Sequence, residues 1–456
     1  MLFYLGFKGK VINMDAKFIT PSRVLVVGFA LLILLGALLL ALPQATQDGN
    51  RISFLNAIFT STSAVCITGL SVVDVGMTFS LFGQAVILML IQVGGLGFMT
   101  FAALFALILG KKITLKERLL LKEALNQVSL AGIVRLTKYV IQVSFAIEAL
   151  GAFILTLRWS AEFGLSKAFF YGLFHAVSAF NNAGFDLFGN FSSLMTYSGD
   201  VIINLTIMFL TILGGLGFTV LVGIYTYRER KLSLHARIVL QASGILVLLG
   251  AVIILLLEYL NPLTLGPLPW GTKVLAAFFQ AVSPRSAGFS TVNIFNMYDT
   301  TLLFMVMLMF IGASPGSTGG GIKTTTFIAI IYSVLSTFQG KPYVVIKERT
   351  IPFEIIRKAL AITISLIFLI IFVTFILSIT EEASLFSLFF EVTSALTTTG
   401  LSLGITPALS AFGKVMIIIA MFIGRVGLLT LVYFLAQRTK NPIAHIKFPD
   451  EQILIG

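Results

Sequence analysis

The chain has 456 residues, 57% of them hydrophobic and only 11% charged, with a mean hydropathy of +1.01. Soluble domains carry about 25% charged residues, so a soluble enzyme, a disordered protein and a secreted disulfide scaffold are excluded. One cysteine, Cys66, leaves no internal disulfide to form, and the net charge of +12 leaves a nucleic-acid partner open until the charges are placed.

A helix that crosses a bilayer needs about 20 mostly apolar residues. A polar, basic N-terminus, 1–20, precedes the first such run, 21–42. It lacks a small-residue cleavage site, so the run reads as an anchor helix. A short apolar stretch, 52–65, follows, and then a long run, 79–109. Beyond a basic loop, 110–137, come a long run at 138–157, a short one at 166–180 and a long one at 201–227. The same order recurs at 237–260, 272–282 and 301–335, and again at 356–379, 384–396 and 412–436. Short apolar runs are more often re-entrant than spanning. The expectation is an all-α membrane protein with eight transmembrane helices and four re-entrant helices. The units are 21–109, 138–227, 228–335 and 351–436, with polar connections at 110–137 and 336–350 and a tail at 437–456.

The N-terminus through Arg23, the loops at 110–138, 226–237 and 337–358 and the tail from Gln437 hold 23 of the 31 Lys and Arg but 8 of the 19 Asp and Glu. A Lys/Arg excess marks the cytoplasmic side. Both termini are expected there, in a multi-pass protein of the plasma membrane. No basic domain stands apart from these loops, so no nucleic-acid partner is expected.

Each short stretch ends in a related peptide. The four contain Val65-Cys66-Ile67-Thr68-Gly69, Asn181-Asn182-Ala183-Gly184, Arg285-Ser286-Ala287-Gly288 and Thr397-Thr398-Thr399-Gly400, each after a Ser. The glycines are 115, 104 and 112 residues apart, and the third copy is one residue shorter between its Ser and its Gly. Open backbone at membrane depth must line a wet path or be buried in protein. A short helix entering from outside aims its negative C-terminal end at the membrane centre, which suits a cation. Glycine turns successive carbonyls toward one axis and leaves the path clear, and a ring of carbonyls can replace an ion's hydration shell. The plainer reading is four glycines in extracellular turns.

A second repeat, Gly94-Gly95-Leu96-Gly97, Gly214-Gly215-Leu216-Gly217 and Gly424-Arg425-Val426-Gly427, lies in the second long run of units one, two and four. It reads as small-residue helix packing or as a widening of the path. Unit three has instead a glycine-rich stretch over 312–326 that includes Gly316-Ser317-Thr318-Gly319-Gly320-Gly321-Ile322-Lys323. Pro315 and the glycines break a helix there. Ile322 separates Gly321 from Lys323, so the spacing of a phosphate-binding loop is not met.

With these residues in view, the chain resembles the Ktr/Trk/HKT potassium transporter superfamily, most closely the membrane subunit of bacterial Ktr systems. The likeness runs over about 21–436. It implies four M1–P–M2 repeats in pseudo-fourfold symmetry around one pore, with potassium at backbone carbonyls near Gly69, Gly184, Gly288 and Gly400. Glycine in all four copies is similar to the potassium-selective members. The resemblance also implies an intramembrane gate at Gly316–Lys323 with Arg425 beside it, a homodimer in membrane lipid, and a cytosolic RCK-type ring that binds nucleotide. Potassium is then the substrate; no covalently bound cofactor is expected, and sodium dependence is left open. A sodium-coupled symporter on the same architecture and a scaffold with a sealed core are the competing readings.

Intramembrane charges are candidate functional groups. The resemblance implies that Arg425 lies beneath the glycine ring, where a cation raises the electrostatic barrier and holds the loop through its carbonyls; the alternative is an Arg satisfied by helix-end carbonyls. Lys323 either acts with it or reaches the cytoplasmic interface. Arg285 is expected to brace its peptide from behind, with Glu391 as its partner. Asp74, Asp186 and Asp299 lie on the outer side, as cation-attracting charges or as ordinary solvated acids. His175 reads as a packed helix residue. No metal-ligand cluster or nucleophile–base set is legible, so no enzyme is expected.

Overall fold

The computed structural model describes residues 21–109, 113–124, 132–225, 232–427 and 430. The segment 1–20, the tail 437–456, parts of the basic loops and most of the last run beyond Gly427 lie outside the described residues.

The described residues open with a long helix, α1 (Pro21–Leu40), a short one, α2 (Phe54–Val65), one turn, α3 (Val75–Thr78), and a divided pair, α4 (Leu81–Leu96) and α5 (Phe98–Ile108). Next are α6 (Leu115–Ala124), the long α7 (Ile133–Phe163), the short α8 (Leu165–Phe180) and a second divided pair, α9 (Val201–Leu216) and α10 (Phe218–Tyr225). The third round is α11 (Leu234–Glu258), α12 (Trp270–Val282), α13 (Asp299–Phe310) and α14 (Thr324–Phe338). A two-residue antiparallel hairpin, Val345–Ile346 with Arg349–Thr350, precedes α15 (Phe353–Thr380), α16 (Leu385–Leu396) and α17 (Ala411–Val426). Helix starts follow side-chain chemistry. Ser53, Ser80, Asp200, Ser233, Ser384 and Ser410 each accept a hydrogen bond from a first-turn backbone N–H.

By length and apolar composition, α1, α7, α11 and α15 can each cross a membrane. Leu256 on α11 is 72% exposed and Phe368 on α15 is 68% exposed, while Glu148, Glu258, Gln280 and Glu391 are buried. Apolar residues outside and polar ones inside is the pattern that lipid as solvent favours.

The second long run of each unit differs from the straight span that hydropathy suggests. It breaks at Gly97 (φ +83°), at Gly217 (φ +93°) and over 311–323, and α17 ends at Gly427 (φ +86°). The bend between α9 and α10 is 102°. A left-handed residue cannot continue a right-handed helix, and glycine is the residue that takes that conformation without steric cost.

Each long helix lies along the short helix that follows it: α1 on α2, α7 on α8, α11 on α12 and α15 on α16. The next helix of each round packs on the short helix of the following round: α4 on α8, α9 on α12 and α13 on α16, while α17 packs on α2. These contacts close a cycle of four, and the C-terminal ends of the four short helices meet inside it.

Candidate functional site

At that meeting place each short helix gives way to its glycine peptide, through Cys66, Asn181, Ser283 and Thr397 at the helix ends. The four peptides share a backbone signature. The residue two before the glycine is left-handed in every copy: Ile67 (φ +51°), Asn182 (φ +57°), Ser286 (φ +73°) and Thr398 (φ +50°). The glycines follow at +91° for Gly69, +72° for Gly184, +77° for Gly288 and +90° for Gly400. Non-glycine residues hold positive φ only where their surroundings over-determine it. Four such residues at one register mark four equivalent peptides.

The peptides form a closed ring. A Cβ at Gly69 would stand 2.6 Å from the Ala183 carbonyl oxygen, one at Gly184 2.8 Å from that of Ala287, and one at Gly288 2.6 Å from that of Thr399. A Cβ at Gly400 would overlap the Thr68 carbonyl, which completes the circuit. Each glycine therefore serves twice, through its φ and through the close approach of a neighbouring backbone.

The serines that open the peptides hold them in place. The carbonyls of Ser63, Ser178 and Ser394 accept from the N–H of Thr68, Ala183 and Thr399, each at 2.8 Å. In the third copy Ser283 accepts from Ala287 at 2.9 Å, one residue nearer in sequence. This tighter turn absorbs the missing residue and still delivers Gly288 to the ring. The Ser63 and Ser394 hydroxyls accept from the N–H of Gly69 and Gly400, both at 3.0 Å. Those of Ser178 and Ser283 donate to the carbonyls of Phe185 and Phe289.

The Gly-Gly-Leu-Gly repeats pack against these helix ends. A Cβ at Gly94, Gly214 or Gly424 would overlap the carbonyl oxygen of Val65, Phe180 or Leu396 respectively. The first glycine of each repeat admits the end of a short helix, and the last one breaks its own helix.

The stretch 312–323 is an irregular loop on the inner side of the ring. Ser314 N–H donates to Gly215 O at 2.9 Å, and Phe218 N–H to Gly316 O at 2.8 Å. The Thr318 hydroxyl reaches Phe180 O at 3.2 Å and Asn182 Oδ1 at 3.4 Å, and Gly320 N–H donates to the Ser286 hydroxyl at 2.9 Å. A Cβ at Gly319 would touch Ser286, and one at Gly320 would touch Thr398 and lie 2.7 Å from Thr397 O. The loop thus lies against peptides two, three and four. The side chains two before the glycine are Asn, Ser and Thr in those copies, and Ile in the first. Ser317 closes a local turn on Ser314 O at 2.6 Å.

Arg425 ties this loop to the first round. Its guanidinium donates to Thr318 O at 2.7 Å, to Gly95 O at 3.0 Å and to Gly94 O. Lys323 turns back into the loop and donates to Gly319 O at 2.6 Å, so its ammonium is not extended toward an interface. The expected pairing of Arg285 with Glu391 is not what the structure contains. Arg285 is buried behind its peptide and donates to Ser243 Oγ at 3.2 Å on α11. Glu391 accepts from Ser402 at 2.8 Å and from Thr406. Hydroxyls close at hand take both Glu391 oxygens and one Arg285 terminal nitrogen, while the buried Arg285 Nε is left without a partner.

A buried network missed in the sequence backs the second peptide. Asn181 donates to Glu148 Oε1 at 3.0 Å and to Gln92 Oε1 at 2.9 Å, while Gln92 donates to Glu148 Oε2 at 2.9 Å. Glu148 was legible as a lone acid in an apolar run. His175 is packed, as expected: its ring nitrogens meet Tyr171 O at 2.7 Å and Leu187 N–H at 3.4 Å, against Trp159 and Phe188. Cys66 is a buried free thiol.

On the outer side a cavity of about 430 Å³ stands over the four glycines, with Asp74 and Asp186 in its wall. Asp299 is instead in the first turn of α13. Asp74 accepts from the N–H groups of Met77 at 2.9 Å and Phe191 at 2.8 Å. Burial pushes the Asp186 carboxyl up to about 7; the Phe188 N–H opposes this shift and the Asp74 charge adds to it. Among the described residues no group of three or more His, Cys, Asp and Glu is placed to hold a metal ion. What converges here is backbone carbonyl and the negative ends of four helices, an arrangement that takes a cation in place of water.

The comparisons with known proteins agree with that chemistry. The family model described as "TrkH: Cation transport protein" matches residues 12–442. The Ktr system potassium uptake protein B of Bacillus subtilis is 47% identical over 96% of this chain and 97% of its own. The potassium/sodium uptake protein NtpJ of Enterococcus hirae is 38% identical over 96% of this chain and 98% of its own. The crystal structure of the potassium transporter TrkH from Vibrio parahaemolyticus shares the fold, with a TM-score of 0.71 and 18% identity over 92% of this chain and 86% of that one. The chain therefore belongs to the TrkH family of cation transport proteins, a family of membrane transporters and not of enzymes.

Proposed function

We propose that the protein carries potassium across the plasma membrane through one pore, whose selectivity filter is the ring at Gly69, Gly184, Gly288 and Gly400. The observation that carries this reading is the fourfold backbone signature, in which each glycine and the residue two before it take positive φ around a closed cycle of carbonyls. Eight membrane crossings arise when α4–α5, α9–α10 and α13–α14 each count as one span beside the four long helices and α17 opens the eighth, giving four M1–P–M2 repeats in pseudo-fourfold order with both termini cytoplasmic. The loop over 316–323, held by Arg425, is the gate. The Bacillus subtilis relative is named as one protein of a Ktr system, which supports a membrane subunit working with a cytosolic partner; on this reading the subunit is a homodimer and the partner a nucleotide-binding ring. On this reading uptake runs down the electrochemical gradient of potassium.

A second reading, sodium-coupled or less selective uptake, is favoured by the potassium/sodium name of the Enterococcus hirae relative. Rubidium and sodium fluxes in proteoliposomes, with and without sodium on the potassium side, separate the two. Gly184→Ser and Gly288→Ser are expected to lower the potassium-over-sodium flux ratio about tenfold, equivalent to roughly 1.4 kcal/mol. An unchanged ratio in both variants would remove these glycines from the filter.

A further inference from the structure

We infer that the Ser286 hydroxyl couples the loop to the ring, so that the inner end of the filter gains a free carbonyl only when the loop leaves. This inference rests on the reading of the ring as a filter and of the loop as its gate.

Ser286 occupies the left-handed position two before Gly288 and is fully buried. Its hydroxyl has a single proton, which goes to the Thr398 carbonyl at 2.7 Å. The Thr398 hydroxyl, at 3.4 Å, is the more distant neighbour. The Ser286 oxygen in turn accepts the Gly320 N–H of the loop at 2.9 Å. The chain of contacts therefore runs from loop N–H to Ser286 hydroxyl to a carbonyl of the fourth peptide. Thr398 stands two before Gly400, one residue inward of the ring carbonyl of Thr399, and on this reading its own carbonyl is the innermost ion ligand of the fourth peptide. A hydroxyl that accepts a hydrogen bond donates more strongly. While the loop is docked, Gly320 fixes the Ser286 proton on Thr398 O and weakens that oxygen as an ion ligand. Once the loop departs, the hydroxyl is free to turn away and the carbonyl is released.

The first two copies lack this relay, and in the fourth the Thr398 hydroxyl has the Ser286 hydroxyl, 3.4 Å away, as its hydrogen-bonding neighbour. Ile67 has no polar side chain to offer. Asn182 meets the loop through Oδ1, which accepts from the Thr318 hydroxyl and transfers no proton toward a carbonyl. Ser286 is thus the position at which loop and ring share one hydrogen-bonding atom.

The test is potassium binding by calorimetry to the full chain in detergent, for wild type, Ser286→Gly, a deletion of 316–320 and the two combined. Glycine suits the φ of +73° and removes the hydroxyl. Ser286→Ala is the second variant, and its result must agree in direction. Loss of one hydrogen bond to the carbonyl is expected to tighten potassium binding about three- to tenfold in Ser286→Gly and in the deletion. The combined variant is expected to bind no more tightly than either one. Unchanged affinity in Ser286→Gly and Ser286→Ala, or additive tightening in the combination, would overturn the coupling. Absence of potassium binding and of rubidium flux in every variant, wild type included, would instead overturn the potassium reading on which it rests.

Discussion

Arg425 shows how much one side chain can organise at this site. Its three hydrogen bonds go to main-chain oxygens on two segments, Thr318 of the loop and Gly94 and Gly95 of α4. Backbone acceptors leave the arginine charged, so it adds a positive field beneath the ring while holding the loop. Charge-assisted hydrogen bonds are worth about 1.5–3 kcal/mol each, and the fork geometry of arginine is not reproduced by a single amide. Arg425→Gln is therefore expected to raise basal rubidium flux about tenfold or more, if one such bond is lost to the docked loop. Equal basal flux in Arg425→Gln and wild type, at equal protein in the vesicles, would count against its role. The arginine was legible in the sequence because a charge stands out in an apolar run. Its acceptors were not, because carbonyls have no sequence signature. The same blindness produced the expected Arg285–Glu391 pair. Two opposite charges suggested each other, but Ser243, Ser402 and Thr406 lay nearer.

At the scale of the element, the Gly-Gly-Leu-Gly repeats explain why hydropathy overstated the continuity of the second spans. A hydropathy window averages over about 20 residues and takes no account of one left-handed glycine. The packing reading of these repeats accounts for their first glycine, against the carbonyl ends of α2, α8 and α16. Their last glycine has a conformational duty that spacing alone did not reveal. The four ring peptides were far more legible, since four copies of one motif at near-equal spacing are hard to produce by chance. Glycines elsewhere differ, and the contrast can be measured. A Cβ at Gly217 would stand 2.6 Å from Pro315 O, at a φ of +93°. Gly244, within α11, has nothing within 4 Å of such an atom. Gly217→Ala is expected to destabilise the protein by about 1–2 kcal/mol from the left-handed backbone alone. Gly244→Ala is expected to be neutral or to stabilise by up to about 1 kcal/mol. Thermal melts of the two purified variants in detergent check this. Equal melting temperatures would mean that the break at Gly217 is not enforced by its backbone.

At the scale of the whole molecule, the proposed topology puts charge of opposite sign on the two sides of the membrane. The Lys and Arg excess gathers in the segments assigned to the cytoplasm, while Asp74 and Asp186 stand in the wall of the outer cavity above the ring. Acidic groups at the mouth of a pore raise the local cation concentration, provided that they are ionised. For Asp186 that condition depends on pH within the physiological range. Burial holds its carboxyl up at about 7, so it is largely neutral at pH 6 and largely negative at pH 8. Uptake from a subsaturating potassium solution is therefore expected to rise with external pH through this window. Asp186→Asn is expected to flatten the rise, with wild type and variant closest at pH 6. Stability runs the other way. A carboxyl whose folded-state value is raised stabilises the fold most fully below the ordinary carboxylate range, and that contribution is lost as pH climbs to about 7. Wild-type melting temperature should thus fall between pH 5 and 7 relative to Asp186→Asn while uptake rises toward pH 8. Parallel rather than opposed trends would show that the pH response originates elsewhere. Rubidium uptake at fixed internal pH, paired with melts across the same series, reads both.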